Sequence, residues 1–161
     1  MPGSLTLVLQ VENGRPTSVV DLLRDTDHRV HLVGDPDEAV RALSEEPFDL
    51  VLLDLTGRPA DANRILGRLK CDSRVWHIPV IALGSPDDVE AVVGCIELGA
   101  DDYVLAPLHP VLLSLRINMF LAKRRLQEVE AEYIKIFEEQ SAELHRLKGE
   151  LADLRTAGVS S

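Results

Sequence analysis

Apolar residues along this chain follow two rhythms. Short unbroken runs alternate with stretches where apolar positions return every three or four residues. Runs of the first kind, bounded by polar or turn-forming residues, predict strands; the second kind predicts helices that pack one face inward. The clearest run is Asp49-Leu50-Val51-Leu52-Leu53-Asp54-Leu55, in which aliphatic residues fill the space between two carboxylates. That is the pattern of a strand buried on both faces inside a parallel sheet. Residues 5–11 (LTLVLQV) predict the first strand. Residues 29–33 (RVHLV) alternate and predict a second one at a sheet edge. Residues 78–83 and 102–105 supply the fourth and fifth.

Helices are predicted between the strands. Pro16 opens the first, with Val19, Val20, Leu22 and Leu23 as its apolar face. Asp35-Pro36-Asp37-Glu38 combines a cap, a proline at the first position and a capping-box acid; Ala39, Val40 and Leu43 then face the sheet until Pro47 stops the helix. Asp61 caps a helix that turns Ile65, Leu66 and Leu69 inward. Ser85-Pro86-Asp87-Asp88 repeats the cap-proline-acid signature, with Ser85 as N-cap of a helix through Val89, Val92, Val93 and Ile96 that Gly99 ends. Strands alternating with helices over short connections predict a doubly wound α/β fold with a parallel sheet and right-handed crossovers.

His109-Pro110 begins the last helix, whose Leu113, Ile117, Phe120 and Leu121 face the sheet. Its pattern runs on through Lys123-Arg124-Arg125 to about Arg155 without a proline. Some ~45 residues rising ~1.5 Å each make roughly 65–70 Å. Beyond the domain, Leu126, Tyr133, Phe137, Gln140, Leu144, Leu147, Leu151 and Leu154 form a heptad seam, with Phe137, Leu144 and Leu151 at a and Gln140, Leu147 and Leu154 at d. Glu143 and Glu150 fall at g, Lys148 and Arg155 at e, so a parallel pair brings opposite charges together. Glu130 at an a position opposes pairing, and Gly149 costs about 1 kcal/mol relative to Ala. The expected organisation is a domain over 1–122, a coiled-coil extension over 123–155 and a disordered tail over 156–161, assembled as a parallel homodimer.

Charge narrows the partners. A net charge of −10 disfavours non-specific binding to nucleic acid or to an anionic membrane surface. No apolar run approaches the ~18–20 residues of a membrane span, and the first residues carry no leader-peptide pattern. Cys71 and Cys95 lack metal or redox spacing and read as reduced thiols of a cytoplasmic protein, with Cys95 in the core. The sequence holds no nucleophile–base pair, metal-ligand cluster or glycine-rich phosphate loop, so no enzymatic activity is expected. Nor does a DNA-binding helix-turn-helix follow the domain.

Asp54 falls at the carboxyl end of the central strand, the edge where open α/β sheets bind ligands. Together, residues 47–55 (PFDLVLLDL), 78–81 (IPVI) and 99–103 (GADDY) resemble the receiver domain of bacterial two-component response regulators. The resemblance covers roughly residues 5–122. It implies a flavodoxin-like five-stranded parallel sheet of order 2-1-3-4-5 with helices on both faces. It also implies that Asp54 is the phosphoryl acceptor's equivalent. In that family two acids after the first strand join the aspartate in holding Mg2+. A Thr or Ser ending the fourth strand and a Lys ending the fifth bind the phosphoryl oxygens, and an aromatic residue on the fifth strand moves as the switch.

The match is partial. Tyr103 matches the switch aromatic, but the lysine position is Ala106, followed by the expected Pro107. The hydroxyl position falls on Gly84, with Ser85 one residue late. The acid pair falls on Val11-Glu12 or on Glu12-Asn13, and either register leaves one carboxylate, so Glu12 and Asp54 hold Mg2+ weakly at best. Arg58, four residues past Asp54, could pair with it or point to solvent. Phosphoryl transfer to a carboxylate needs cations to neutralise the charge developing on the transferred group. The expectation is therefore an atypical receiver that needs no cofactor, binds a protein partner in a signalling pathway and dimerises independently of phosphorylation. The alternative is a working receiver, phosphorylated on Asp54 by a histidine kinase in a phosphorelay.

Overall fold

The structure is a computed structural model that describes residues 5–10, 19–24, 26–56 and 62–159. The elements follow one another as β1 (Leu5–Gln10), α1 (Val19–Leu23), β2 (Arg29–Val33), α2 (Pro36–Glu45), β3 (Leu50–Asp54), α3 (Ala62–Cys71), β4 (Val80–Gly84), α4 (Val89–Glu97), β5 (Asp102–Leu105) and α5 (Pro110–Val159). The strands form one parallel sheet in the order β2-β1-β3-β4-β5. The chain divides into two compact units, Met1–Leu121 and Ala122–Ser161.

The central strands carry aliphatic residues at nearly every position because both of their faces are covered. Along β3, Leu50 and Leu52 turn to one side and Val51 and Leu53 to the other, as the two-residue period of a strand requires. Ile81 and Leu83 of β4 join the first side, Val80 and Ala82 the second. The first layer is closed by Val19 and Leu23 of α1 and by Leu113, Ile117 and Leu121 of α5. The second is closed by α2 and α3, through Ala39, Val40 and Leu43 and through Ile65, Leu66 and Leu69, with Cys95 of α4. At the β2 edge, Arg29, His31 and Leu32 remain exposed.

Asp35 caps α2 by accepting the Asp37 N–H at 3.2 Å, with Pro36 next in the chain. The expected capping and opening residues Pro16 and Asp61 lie outside the described residues.

Two expectations are corrected. First, Ser85 does not cap α4. It begins a turn, its carbonyl accepting the Asp88 N–H at 3.2 Å and its hydroxyl the Asp87 N–H at 3.4 Å; the helix starts at Val89 with Asp88 as N-cap. That helix buries Cys95, which the sequence places in the core, and leaves Val89, Val93 and Ile96 exposed. The reason lies at Gly94, where a side chain would collide with Asn63 of α3, so α3 and α4 approach closely along the Gly94–Cys95 side. Gly99, at φ 95°, terminates the helix as expected, and the Ala100 N–H returns to the Cys95 carbonyl at 2.9 Å. Second, the disordered tail expected over 156–161 gives way to helix through Val159. Within that last turn Thr156 donates its hydroxyl to the Ala152 carbonyl at 2.9 Å.

Candidate functional site

Parallel pairing brings the carboxyl ends of the strands to one edge. Asp54 pairs in register with Gln10 of β1 and with Leu83 of β4. Gly84, one step farther, lies opposite Leu105 of β5. The ladder continues past the strands: the Leu55 N–H donates to Leu83 O and the Ala106 N–H to Gly84 O, each at 2.8 Å. Asp54, Gly84 and Ala106 are thus fixed on one rim by backbone bonds alone.

Asp54 is 4% exposed, and its carboxylate is already engaged. Oδ1 accepts the Thr56 backbone N–H at 3.0 Å and the Thr56 hydroxyl at 2.5 Å, the latter a short bond between two buried groups. This is the local turn that an Asp makes with the chain two residues on. Sequence reasoning passed over Thr56; the Asp-x-Thr spacing after a strand is the signal that could have found it.

Tyr103 lies inward. Its ring packs against the core layer on the α2, α3 and α4 side, and its hydroxyl occupies the space over Gly84, where any Cβ would overlap it. Burial pushes the Tyr103 phenol above its ordinary pKa, and the Cys95 thiol and Asp88 carboxylate add to the rise. Burial raises the Cys95 thiol as well. Ala106, half-buried, precedes Pro107 through a cis peptide bond and presents a methyl group where the resemblance implies an ammonium.

Among the described residues, no ion pair reaches Asp54. Lys70 is held at the opposite end of the sheet, where its Nζ donates to the Ile78 carbonyl at 3.2 Å, the Trp76 carbonyl at 3.3 Å and Asp101 Oδ2 at 3.3 Å. Asp101 also accepts the Val80 N–H at 2.8 Å and returns its own N–H to Val80 O at 2.8 Å. Arg116 pairs with Asp102 at 2.9 Å. Glu12, Asn13 and Arg58 lie outside the described residues. Among the described residues no group of three or more His, Cys, Asp or Glu gathers to hold a metal, and no helix is long and apolar enough to cross a membrane. Asp54 offers this rim a buried carboxylate, and one of its oxygens is already committed to Thr56.

In the second unit, Leu126, Tyr133, Phe137, Gln140, Leu144, Leu147, Leu151 and Leu154 are all exposed on the helix. Arg146 ties Glu143 and Glu150 within the chain, with bonds of 2.6 Å and 2.5 Å. The first of these holds the Glu143 carboxyl below its ordinary pKa.

Comparison with known proteins agrees with this geometry. A family model, the response regulator receiver domain, matches residues 15–118. The response regulator PleD of Caulobacter vibrioides is 28% identical over 114 residues, which are 71% of this chain and 25% of PleD. The DNA-binding response regulator MtrA of Mycolicibacterium smegmatis is 35% identical over 115 residues, 71% of this chain and 48% of MtrA. The chain thus spans half or less of these relatives. The crystallised receiver domain of a Pseudomonas aeruginosa sensor histidine kinase, with magnesium coordinated in its active-site cleft, superposes with a TM-score of 0.64 at 22% identity, over 74% of this chain and 98% of that one.

Proposed function

Because the chain belongs to the response regulator receiver domain family, we propose that it is an atypical receiver in which docking and pairing, rather than phosphorylation of Asp54, carry the signal. The observation that carries this reading is the seat of Tyr103 over Gly84. A phosphorylation switch needs contacts that differ between two states. Here the hydroxyl and ammonium that would make those contacts are replaced by Gly84 and Ala106, and the glycine itself opens the space that the aromatic ring fills. With no charge-assisted bond from position 106, a phosphoryl group on Asp54 has little hold on the loop after β5. Asp54 with Glu12 would bind Mg2+ weakly, through few protein ligands and several waters.

Two surfaces carry the output. On α4 and β5, Val89, Val93, Ile96 and Leu105 form an exposed apolar set, with Val89 at 64% and Ile96 at 58% exposure. Glu90 and Glu97 border that set on α4, which suits a protein partner with an apolar centre and a basic rim. In the second unit, the apolar seam pairs two copies in parallel, and Glu143 and Glu150 meet Lys148 and Arg155 of the partner subunit.

The test is incubation of the full chain with beryllofluoride or acetyl phosphate and Mg2+, followed by amide NMR and intact mass. The expected result is no saturable shift at Gly84, Tyr103 or Ala106. A saturable shift at Asp54 and Tyr103, with an added phosphoryl mass, would instead establish the working phosphoacceptor.

A further inference from the structure

Within the second unit the apolar positions do not keep a single seven-residue phase. Counted back from Leu154, the seam passes through Leu151, Leu147, Leu144 and Gln140 in alternating steps of three and four. Carried on unchanged toward the N-terminus, the same phase places Glu130 and Lys123 on the seam and leaves Val129 and Ile136 off it. Two successive steps of four, Leu144 to Gln140 to Ile136, resolve the conflict. Tyr133, Val129 and Leu126 then follow at three, four and three. Leu126 and Tyr133 are 68% and 74% exposed, and Val129 and Ile136 are exposed beside them.

Resting on the parallel homodimer proposed above, we infer that the pairing surface contains a phase break, an eleven-residue step from Tyr133 to Leu144. A second copy of this chain covers both phases in register. Eleven residues over three turns need about 3.67 per turn, against 3.5 in a heptad, so the left-handed supercoil relaxes across this step. Gln140 belongs to both phases and forms a polar layer at the join, the kind of position that fixes register at some cost in stability. Phe137 lies beside this join, so its large ring still faces the seam where the phase changes.

Charge supports the same alignment. In the N-terminal phase Leu126 and Tyr133 take a, and Val129 and Ile136 take d, so Arg125 falls at g and Glu130 at e. In a parallel pair, Arg125 meets Glu130 of the partner subunit. Glu130, a repulsive residue within an unbroken heptad, thus becomes an attractive flank. In the C-terminal phase Glu143 and Glu150 meet Lys148 and Arg155 of the partner subunit.

Cross-linking of single cysteines in the full chain, with Cys71→Ser to remove the exposed thiol, reads the phase directly. A disulfide needs α-carbons within about 7 Å, which seam positions satisfy and flanking positions do not. Leu151→Cys and Leu144→Cys report pairing; Val129→Cys and Glu130→Cys report phase. The expected result is rapid linkage at 151, 144 and 129, and linkage several-fold slower at 130. Linkage at 151 and 144 with 130 faster than 129 keeps the dimer and overturns the phase break. A monomer in sedimentation equilibrium, or a dimer that fails to link at 151, overturns the parallel pair and this inference with it.

Discussion

The hydroxyl of Tyr103 rests where a side chain at Gly84 would have to be. The two residues come from adjacent strands, and parallel pairing sets them two register steps apart, with Tyr103 opposite Ala82 and Gly84 opposite Leu105. Glycine at 84 therefore decides where the ring sits, and the ring in turn shapes the rim beside Asp54.

Adding a methyl group tests that relationship. Gly84→Ala should drive the ring off its seat, because overpacking a filled site costs about 1–3 kcal/mol unless something moves. The far end of a tyrosine can swing toward water, so the expected outcome is an outward ring and a modest loss of stability in urea. Made in a Tyr103→Ala background, the same change should cost clearly less. Equal costs in both backgrounds would mean that the two residues do not interact.

Tyr103 also sets an alkaline limit. Burial raises its phenol above the ordinary value of 10.0. A group whose folded pKa lies above the unfolded one favours the folded state while protonated. Its contribution is complete below pH 10 and is lost as pH rises through the folded value. The wild-type protein should therefore lose more stability than Tyr103→Phe as pH rises above 10.0, and absorbance should report Tyr103 ionising late. Identical pH profiles for the two proteins would contradict this account.

At the other end of the sheet, Asp101 joins three partners: the Val80 N–H, the Lys70 ammonium and, through its own N–H, the Val80 carbonyl. Asp101→Ala strips the side-chain acceptor and strands a half-buried backbone donor, a loss of about 1–3 kcal/mol. Asp101→Asn keeps an oxygen for Val80 and should lose less. Chemical denaturation measures both, and a neutral Asp101→Ala would mean that water replaces the carboxylate freely.

Much of this was legible in the chain itself. The aliphatic run at 50–53 demanded a strand covered on both faces, and its carboxyl end put Asp54 on the ligand-binding edge. The same reading identified Gly84, Ala106 and Tyr103 as the positions that depart from or keep the receiver pattern. On α4 it placed Cys95 in the core but named no fuller inward face, because apolar residues occur all round the helix; Gly94 approaches Asn63 closely on the side that packs.

What the sequence determined by itself is therefore the order of strands and helices and the residue types available to the site, because those follow from neighbours along the chain. Tertiary structure alone decided that Lys70 is spent far from Asp54 on Asp101 and two carbonyls, and that Tyr103 fills the space left by Gly84. The Lys70–Asp101 and Tyr103–Gly84 contacts join residues far apart along the chain. Their existence depends on strand register and on which volumes remain empty once the sheet and helices have packed, and no local pattern encodes either.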